Sequence, residues 1–399
     1  MKKLFSAFLC LTCLALVLSS CVKGSDNQTS GDDDGQNNTP GIVEPAYTPE
    51  FFTGYEKTDK SNPRAVAVMI NNIVQSRPQR GISQADILVE SKVEGGITRF
   101  MAIFSDYENV TGDIGPVRSG RDQFLQLAMP WHALYIHVGR SGVTQTMIDT
   151  YEYNDSDADG YTKNLTYRDQ NRINQGYKTE HTAFTTAELL NSLFTKYDYE
   201  TTYKYGSPCF DFVRYDENNG IRRLTGDSAT SVSITHSQSY ATYFDYNEST
   251  GKYDMSQWNS LTRSVQNTKD ENDGTQLSFE NVFVLFADIE PYPYPGGNLD
   301  ANGNDKGDPD YQKVDYSYGG VGYYFSNGNV EKIRWFKGGP TDMLKFTDMD
   351  ENSLKVNCGT SYIGIVDLDE YEKFEYAGVG GSVDQTAEGS DTVQEEIGD

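Results

Sequence analysis

Apolar residues come in short runs separated by polar turns, and the spacing changes along the chain. Arg64 to Ile70 is almost unbroken apolar sequence and predicts a buried strand. Ile87–Val93 and Ile97–Phe104 flank Glu94-Gly95-Gly96, a hairpin signal. Alternation puts Leu88, Glu90, Lys92 and Glu94 on one face of that first strand, with Glu90 and Glu94 roughly 13 Å apart. Gly115-Pro116 reads as a turn, and Ser119 with Asp122 resembles a capping box, so a helix is expected from Gly120 with Phe124, Leu125, Leu127 and Ala128 facing inward and Pro130 ending it. Ala133–Val138 predicts a buried strand, Gly139–Gly142 a turn, and residues 143–151 a second helix. Thr186 is placed as the N-cap of a helix over Ala187–Phe194.

Beyond residue 230 the period shortens to two. Ser231–His236 and Tyr240–Tyr246 alternate, Asn247–Gly251 turns, and Asn327-Gly328 centres a hairpin within 322–335. The fold class expected is α+β in two domains, the first mixed α/β with a sheet and several helices, the second mostly antiparallel β. The ends differ from this body. Lys2 and Lys3 precede an apolar run, Leu4–Leu18, too short to span a membrane, and Leu18-Ser19-Ser20-Cys21 resembles a bacterial lipobox. The expected plan is a signal peptide at 1–20, a flexible polar tether at 21–49, domains at 50–228 and 229–369, and an acidic disordered tail at 370–399. Lipid on Cys21 would hold the protein to the bacterial cell membrane on its extracytoplasmic side.

Net charge is -26, which argues against nucleic acid as a partner. Nine of the 14 arginines nonetheless fall between Arg64 and Arg172, which predicts a local positive pocket in an acidic protein. Helix starts attract anions, so Arg99, Arg118, Ser119, Arg121, Asp122, His137, Ser141, Arg168, Asp169 and His181 form the candidate ligand site, for an anionic cell-wall ligand or an envelope protein. The opposing reading is that these arginines only hold the fold together, in a structural or interaction protein. A third is a cell-envelope hydrolase using Glu90, Ser141 or His181. Gly139-Arg140-Ser141 has the outline of a nucleophile elbow, but Val143 stands where that pattern needs glycine. Asp155, Asp157 and Asp159 match the first half of a calcium loop, yet its twelfth position is Thr166, where a glutamate belongs. A solvated turn explains them, no metal or cofactor is expected, and binding is favoured over catalysis. Cys209 and Cys358, the two cysteines of the folded part, are expected as buried free thiols.

Several of these segments carry a resemblance. Ala85–Glu90, Val93–Phe100, Ile103-Phe104 and Gly115–Asp122, with Val68–Ile70, Arg77-Pro78-Gln79 and Gly81-Ile82-Ser83, are similar to the YerB-like bacterial lipoprotein family. The family implies an N-terminal and a C-terminal domain and brings no biochemical activity. It also implies an Arg-Asp pair, matched by Arg168-Asp169, then a Pro-His-Asn segment, where Glu180 and Thr182 here flank His181. In the C-terminal part Pro340, Phe346 and Gly359–Ile363 match, with Tyr362 where the family usually has tryptophan.

Overall fold

The computed structural model describes residues 48–57, 62–157, 164–203, 206–292, 310–383 and 385. The signal peptide, Cys21, Asp159, most of the tether and the second half of the tail lie outside the described residues, whereas Glu375–Ala377, within the span expected as a disordered tail, forms a strand paired with Ser231–Ser233. The first half supplies β1 (Val66–Asn71), β2 (Ile87–Lys92), β3 (Thr98–Phe104), β4 (Leu134–His137) and β5 (Asp155–Asp157). Its helices are α1 (Asp122–Ala128), α2 (Gly142–Tyr151), α3 (Gln170–Asn174) and α4 (Ala187–Tyr197). The second half supplies β6 (Ser231–Ser237), β7 (Tyr240–Asn247), β8 (Lys252–Asn259), β9 (Asn281–Pro291), β10 (Gly320–Ser326), β11 (Asn329–Phe336), β12 (Ser361–Asp367) and β13 (Glu375–Ala377). The fold is α+β, with a mixed sheet in the first half and mainly antiparallel pairing in the second.

An 11-stranded sheet runs through both halves, ordered from Lys345–Thr347 through β11, β10, β9, β12, β2, β3, β1 and β4 to β5, with Gln312–Asp315 as the eleventh strand paired to the end of β9. The halves meet where β12 lies parallel to β2, Ile363 opposite Val89 and Gly364 opposite Glu90. β1, β2 and β3 are buried almost throughout because the sheet is covered on both faces, so the polar side chains they carry, Glu90, Ser91, Thr98 and Arg99 among them, are buried too. Ala67 and Met69 enter one core, with Phe124, Leu125 and Trp131. Val66, Val68 and Ile70 enter the other, with Leu190 and Phe194 of α4 and with Val232, Phe244 and Met255 of the small sheet, β6–β8 and β13. The alternation of the side chains divides the two cores.

Local expectations met two departures. The first helix begins at Asp122 rather than Gly120, and no side chain caps it. Gly120 N–H instead donates to Gly139 O at 2.9 Å, so the chain stays extended through Arg121 (φ -133°, ψ 144°) before it coils. The Glu94-Gly95-Gly96 turn forms as expected, but β2 ends at Lys92, so Glu94 does not share a strand face with Glu90. The helix at Ala187 is capped by Thr186, as expected, and runs on to Tyr197. Cys209 and Cys358 are free and buried, and burial pushes the Cys209 thiol well up.

Candidate functional site

β1, β2, β4, β5, β9 and β12 all point the same way, because β3 is antiparallel to both β1 and β2 while the other pairings among them are parallel. Their carboxyl ends therefore share one edge of the large sheet, the place where open α/β sheets tend to take ligands. Two loops cross that edge and are stitched together. Val138 N–H donates to Arg118 O at 3.2 Å, Gly120 N–H to Gly139 O at 2.9 Å, and Arg118 N–H to Met69 O of β1 at 2.9 Å. Gly139 has φ +72°, and a Cβ there would stand 3.2 Å from Ser119 Oγ, so a residue with a side chain would strain the turn and press on its neighbour.

The arginines at this edge do different work. Arg99 and Arg121 are each about 2% exposed. Both reach Glu94 Oε1 at 2.5 Å, and Arg121 Nε donates to Glu94 Oε2 at 2.8 Å. Arg99 also donates to Ser119 O at 2.7 Å and Arg121 to Gly120 O at 2.8 Å, which pins the Arg118 loop from beneath. Arg121 lies over the Tyr311 ring at 4.7 Å. Burial pulls the Glu94 carboxyl upward, but the Arg99 and Arg121 charges outweigh it and hold it at about 2. Arg121 is thus a buried, paired side chain rather than the accessible one the sequence suggested. Arg118 and Arg140, by contrast, are half-buried. Arg140 Nε donates to Gln145 Oε1.

The other candidates fall around this pair. Asp122 is buried and accepts a 2.6 Å hydrogen bond from Tyr292, and burial raises its carboxyl. His137 is held between Gly139 O at 2.8 Å and Asp155 Oδ2 at 2.9 Å. Ser141 caps α2, its Oγ accepting from Thr144 N–H at 3.1 Å and lying 2.8 Å from Thr144 Oγ1. His181 Nδ1 sits 3.1 Å from Asn71 Nδ2 at the end of β1, and burial lowers its pKa to about 4, with the Arg118 charge acting the same way.

Arg168 and Asp169 belong to a neighbouring group. Arg168 is exposed and donates to Thr179 O at 2.7 Å. Asp169 caps α3 and pairs with Arg80 at 2.8 Å. Arg80 also pairs with Asp113 at 2.8 Å and Glu271 at 2.6 Å, and Glu271 takes Arg172 as well. Sequence reasoning missed Arg80 as this hub. Its partners are 33 or more positions away, beyond any local pattern.

Glu90 sits elsewhere, with no exposed surface, between the two sheets. Asn72 (3.0 Å) and Thr98 (2.7 Å) donate to Oε1, while Thr242 (2.8 Å) and Tyr362 (2.7 Å) donate to Oε2. His236 Nε2 is 3.4 Å from Oε2. Burial raises the carboxyl, but His236, Thr98 and Tyr362 together hold it at about 2. A general base needs a reachable, near-neutral carboxylate, and this one is neither. Ser141 and Glu90 spend their bonds on the partners named above. Among the described residues no cluster of three or more His, Cys, Asp or Glu could hold a metal; Asp155 turns to His137 instead.

Residues 52–200 match the family model described as "Protein of unknown function (DUF3048) N-terminal domain", and residues 231–363 match the corresponding C-terminal domain. The chain is 28% identical over 288 residues to "Putative lipoprotein YerB" of Bacillus subtilis (strain 168), covering 71% of this chain and 76% of that protein. A crystal structure of the YerB protein from Bacillus subtilis superposes with a TM-score of 0.63 at 22% identity, covering 83% of this chain and 99% of that one. That similarity establishes the shared fold.

Proposed function

Because the chain belongs to the family of proteins of unknown function described by the DUF3048 N- and C-terminal domains, we propose that it is a lipid-anchored extracytoplasmic protein that binds an anionic ligand at the carboxyl edge of its large sheet. The anchor rests on the lipobox-like Leu18–Cys21 and on a relative whose name calls it a lipoprotein. Among the described residues no helix is long and apolar enough to cross a membrane.

The observation that carries the binding reading is the division of labour among the arginines. Arg99 and Arg121 are buried around Glu94 and fix the backbone at Ser119 and Gly120. Arg118 and Arg140 stay half-buried on the two loops so fixed, next to Ser119, Ser141 and the start of α2. Guanidinium groups carried on a pinned backbone suit a carboxylate or phosphate, because the loops that present them need not reorganise on binding. His181, Asn71 and His137 lie buried beneath the same edge, at the ends of β1 and β4.

The test is the melting temperature of the full chain with phosphate, with carboxylated sugars and with cell-wall muropeptides. A ligand at about 100 times its Kd should stabilise the fold by roughly 2.7 kcal/mol, and Arg118→Ala should abolish that shift. A structural reading has its own support in Arg80, which meets three carboxylates inside the protein. It predicts no shift with any anion, and a lowered melting temperature from Arg118→Ala alone.

A further inference from the structure

A second cleft lies far along the chain from the arginine edge and has the opposite chemistry. It encloses about 380 Å³ and is walled by Tyr323, Tyr371, Phe374 and Tyr376, with Glu372 and Glu375 at its lining and, among the described residues, no lysine or arginine. The rings are tilted rather than stacked. Tyr323 and Tyr376 are 5.9 Å apart at 51°, Tyr323 and Phe374 4.8 Å apart at 36°, and Phe374 and Tyr376 6.1 Å apart at 49°. Tilted rings form a cup, and the Tyr323 and Tyr371 hydroxyls, 3.2 Å apart, tie one side of it. The cup rests on core aromatics: Phe286 packs against Tyr323, Tyr371 and Phe374, and Phe325 against Phe374 and Tyr376. The three tyrosines themselves are half-buried.

The protein already demonstrates what these rings attract. Tyr323 and Tyr376 also line an adjoining cleft of about 640 Å³. From that cleft Lys332 places its ammonium 5.9 Å from the centre of the Tyr323 ring. Aromatic faces are electron-rich and hold cations. The smaller cleft offers the same rings with two glutamates and no lining cation of its own, in a protein of net charge -26 whose field concentrates positive solutes. We propose that the aromatic cleft binds an alkylammonium group. Tyr323, Tyr371 and Tyr376 form its walls, and Glu372 supplies charge at its rim.

The experiment is calorimetric titration of the full chain with tetramethylammonium chloride and with butylammonium chloride at fixed ionic strength. Either salt should give a saturable heat, and the tighter of the two distinguishes a methylated headgroup from a lysine-like amine. Tyr376→Leu should weaken binding about tenfold, while Tyr376→Phe, which keeps the ring face, should bind as the parent does. Should Tyr376→Leu lower the melting temperature, Glu372→Gln carries the test. Glu372 is exposed, and its neutralisation should weaken binding several-fold without altering stability. Absence of saturable heat with both salts overturns the proposal, as does unchanged affinity in Glu372→Gln. Binding of a neutral N-acetylglucosamine oligomer that depends on Tyr376, with no ammonium binding, overturns it in favour of a sugar site.

Discussion

Replacing Glu90 by glutamine tests the account of how the halves of the chain are held together. Glu90 stands on β2 in the first half, while Tyr362 on β12 and Thr242 on β7 come from the second, and all three are buried. The carboxylate accepts four hydrogen bonds, two from each half. Its pKa is held at about 2 against an ordinary 4.5, and a difference of that size corresponds to about 3 kcal/mol of preference for the charged form in the folded protein. Glutamine keeps the shape but removes the charge and turns an NH₂ group toward donors. The variant should therefore lose about 3 kcal/mol at pH 7, or roughly 6 °C in melting temperature for a protein of this size. The sign with pH follows from the lowered folded-state value. This stabilisation is complete above the unfolded pKa near 4.5 and disappears as pH falls toward 2, so parent and variant should converge over that window. Urea unfolding at pH 7, 4 and 2.5 measures it. Equal stability at pH 7, or a gap that persists unchanged to pH 2.5, would refute the reasoning.

Glu94→Ala strands Arg99 and Arg121 in a buried site and should cost about 3–5 kcal/mol in urea unfolding; an effect below about 1 kcal/mol would mean the two guanidiniums find other partners. Ser141→Ala removes the cap of α2 and should lower stability by about 1 kcal/mol, whereas a nucleophilic serine would show itself by loss of a hydrolytic activity with stability unchanged. His181, with its pKa lowered to about 4, should stay neutral by NMR at pH 5–8. Since its unfolded form takes up a proton first, its contribution to stability should fall as pH drops from 6.5 toward 4.

The elements were largely legible in the sequence because they follow from local periods. The unbroken apolar run ending in Ile70, the Glu94-Gly95-Gly96 hairpin, the Thr186 cap and the Asn327-Gly328 turn each depend on residues within a few positions. The candidate edge was not local in this way: Arg118-Ser119 and Arg140-Ser141 stand 22 positions apart, and the backbone bonds from Val138 to Arg118 and from Gly120 to Gly139 bring their loops together. Local pattern also misled, since the Ser119–Asp122 spacing suggests a cap that the longer-range bond from Gly120 to Gly139 prevents.

Tertiary structure decided what each charged group is for. Glu90 and Glu94 look alike in sequence. Folding sends one between the sheets to meet Thr242 and Tyr362 from over 150 positions away, and the other to a turn beneath Arg99 and Arg121. Arg80 and Arg118 also look alike. One meets Asp113, Asp169 and Glu271, and the other stays half-buried at the sheet edge. The sequence by itself determined the family, the α+β class and most of the strands and helices, because hydrophobic period and turn chemistry are local properties of a chain. The joining of the halves along β2 and β12, and the partner of each buried charge, were decided only by the packing. Desolvation makes an unpaired buried charge intolerable, and the group that relieves it is whichever one the fold brings within reach.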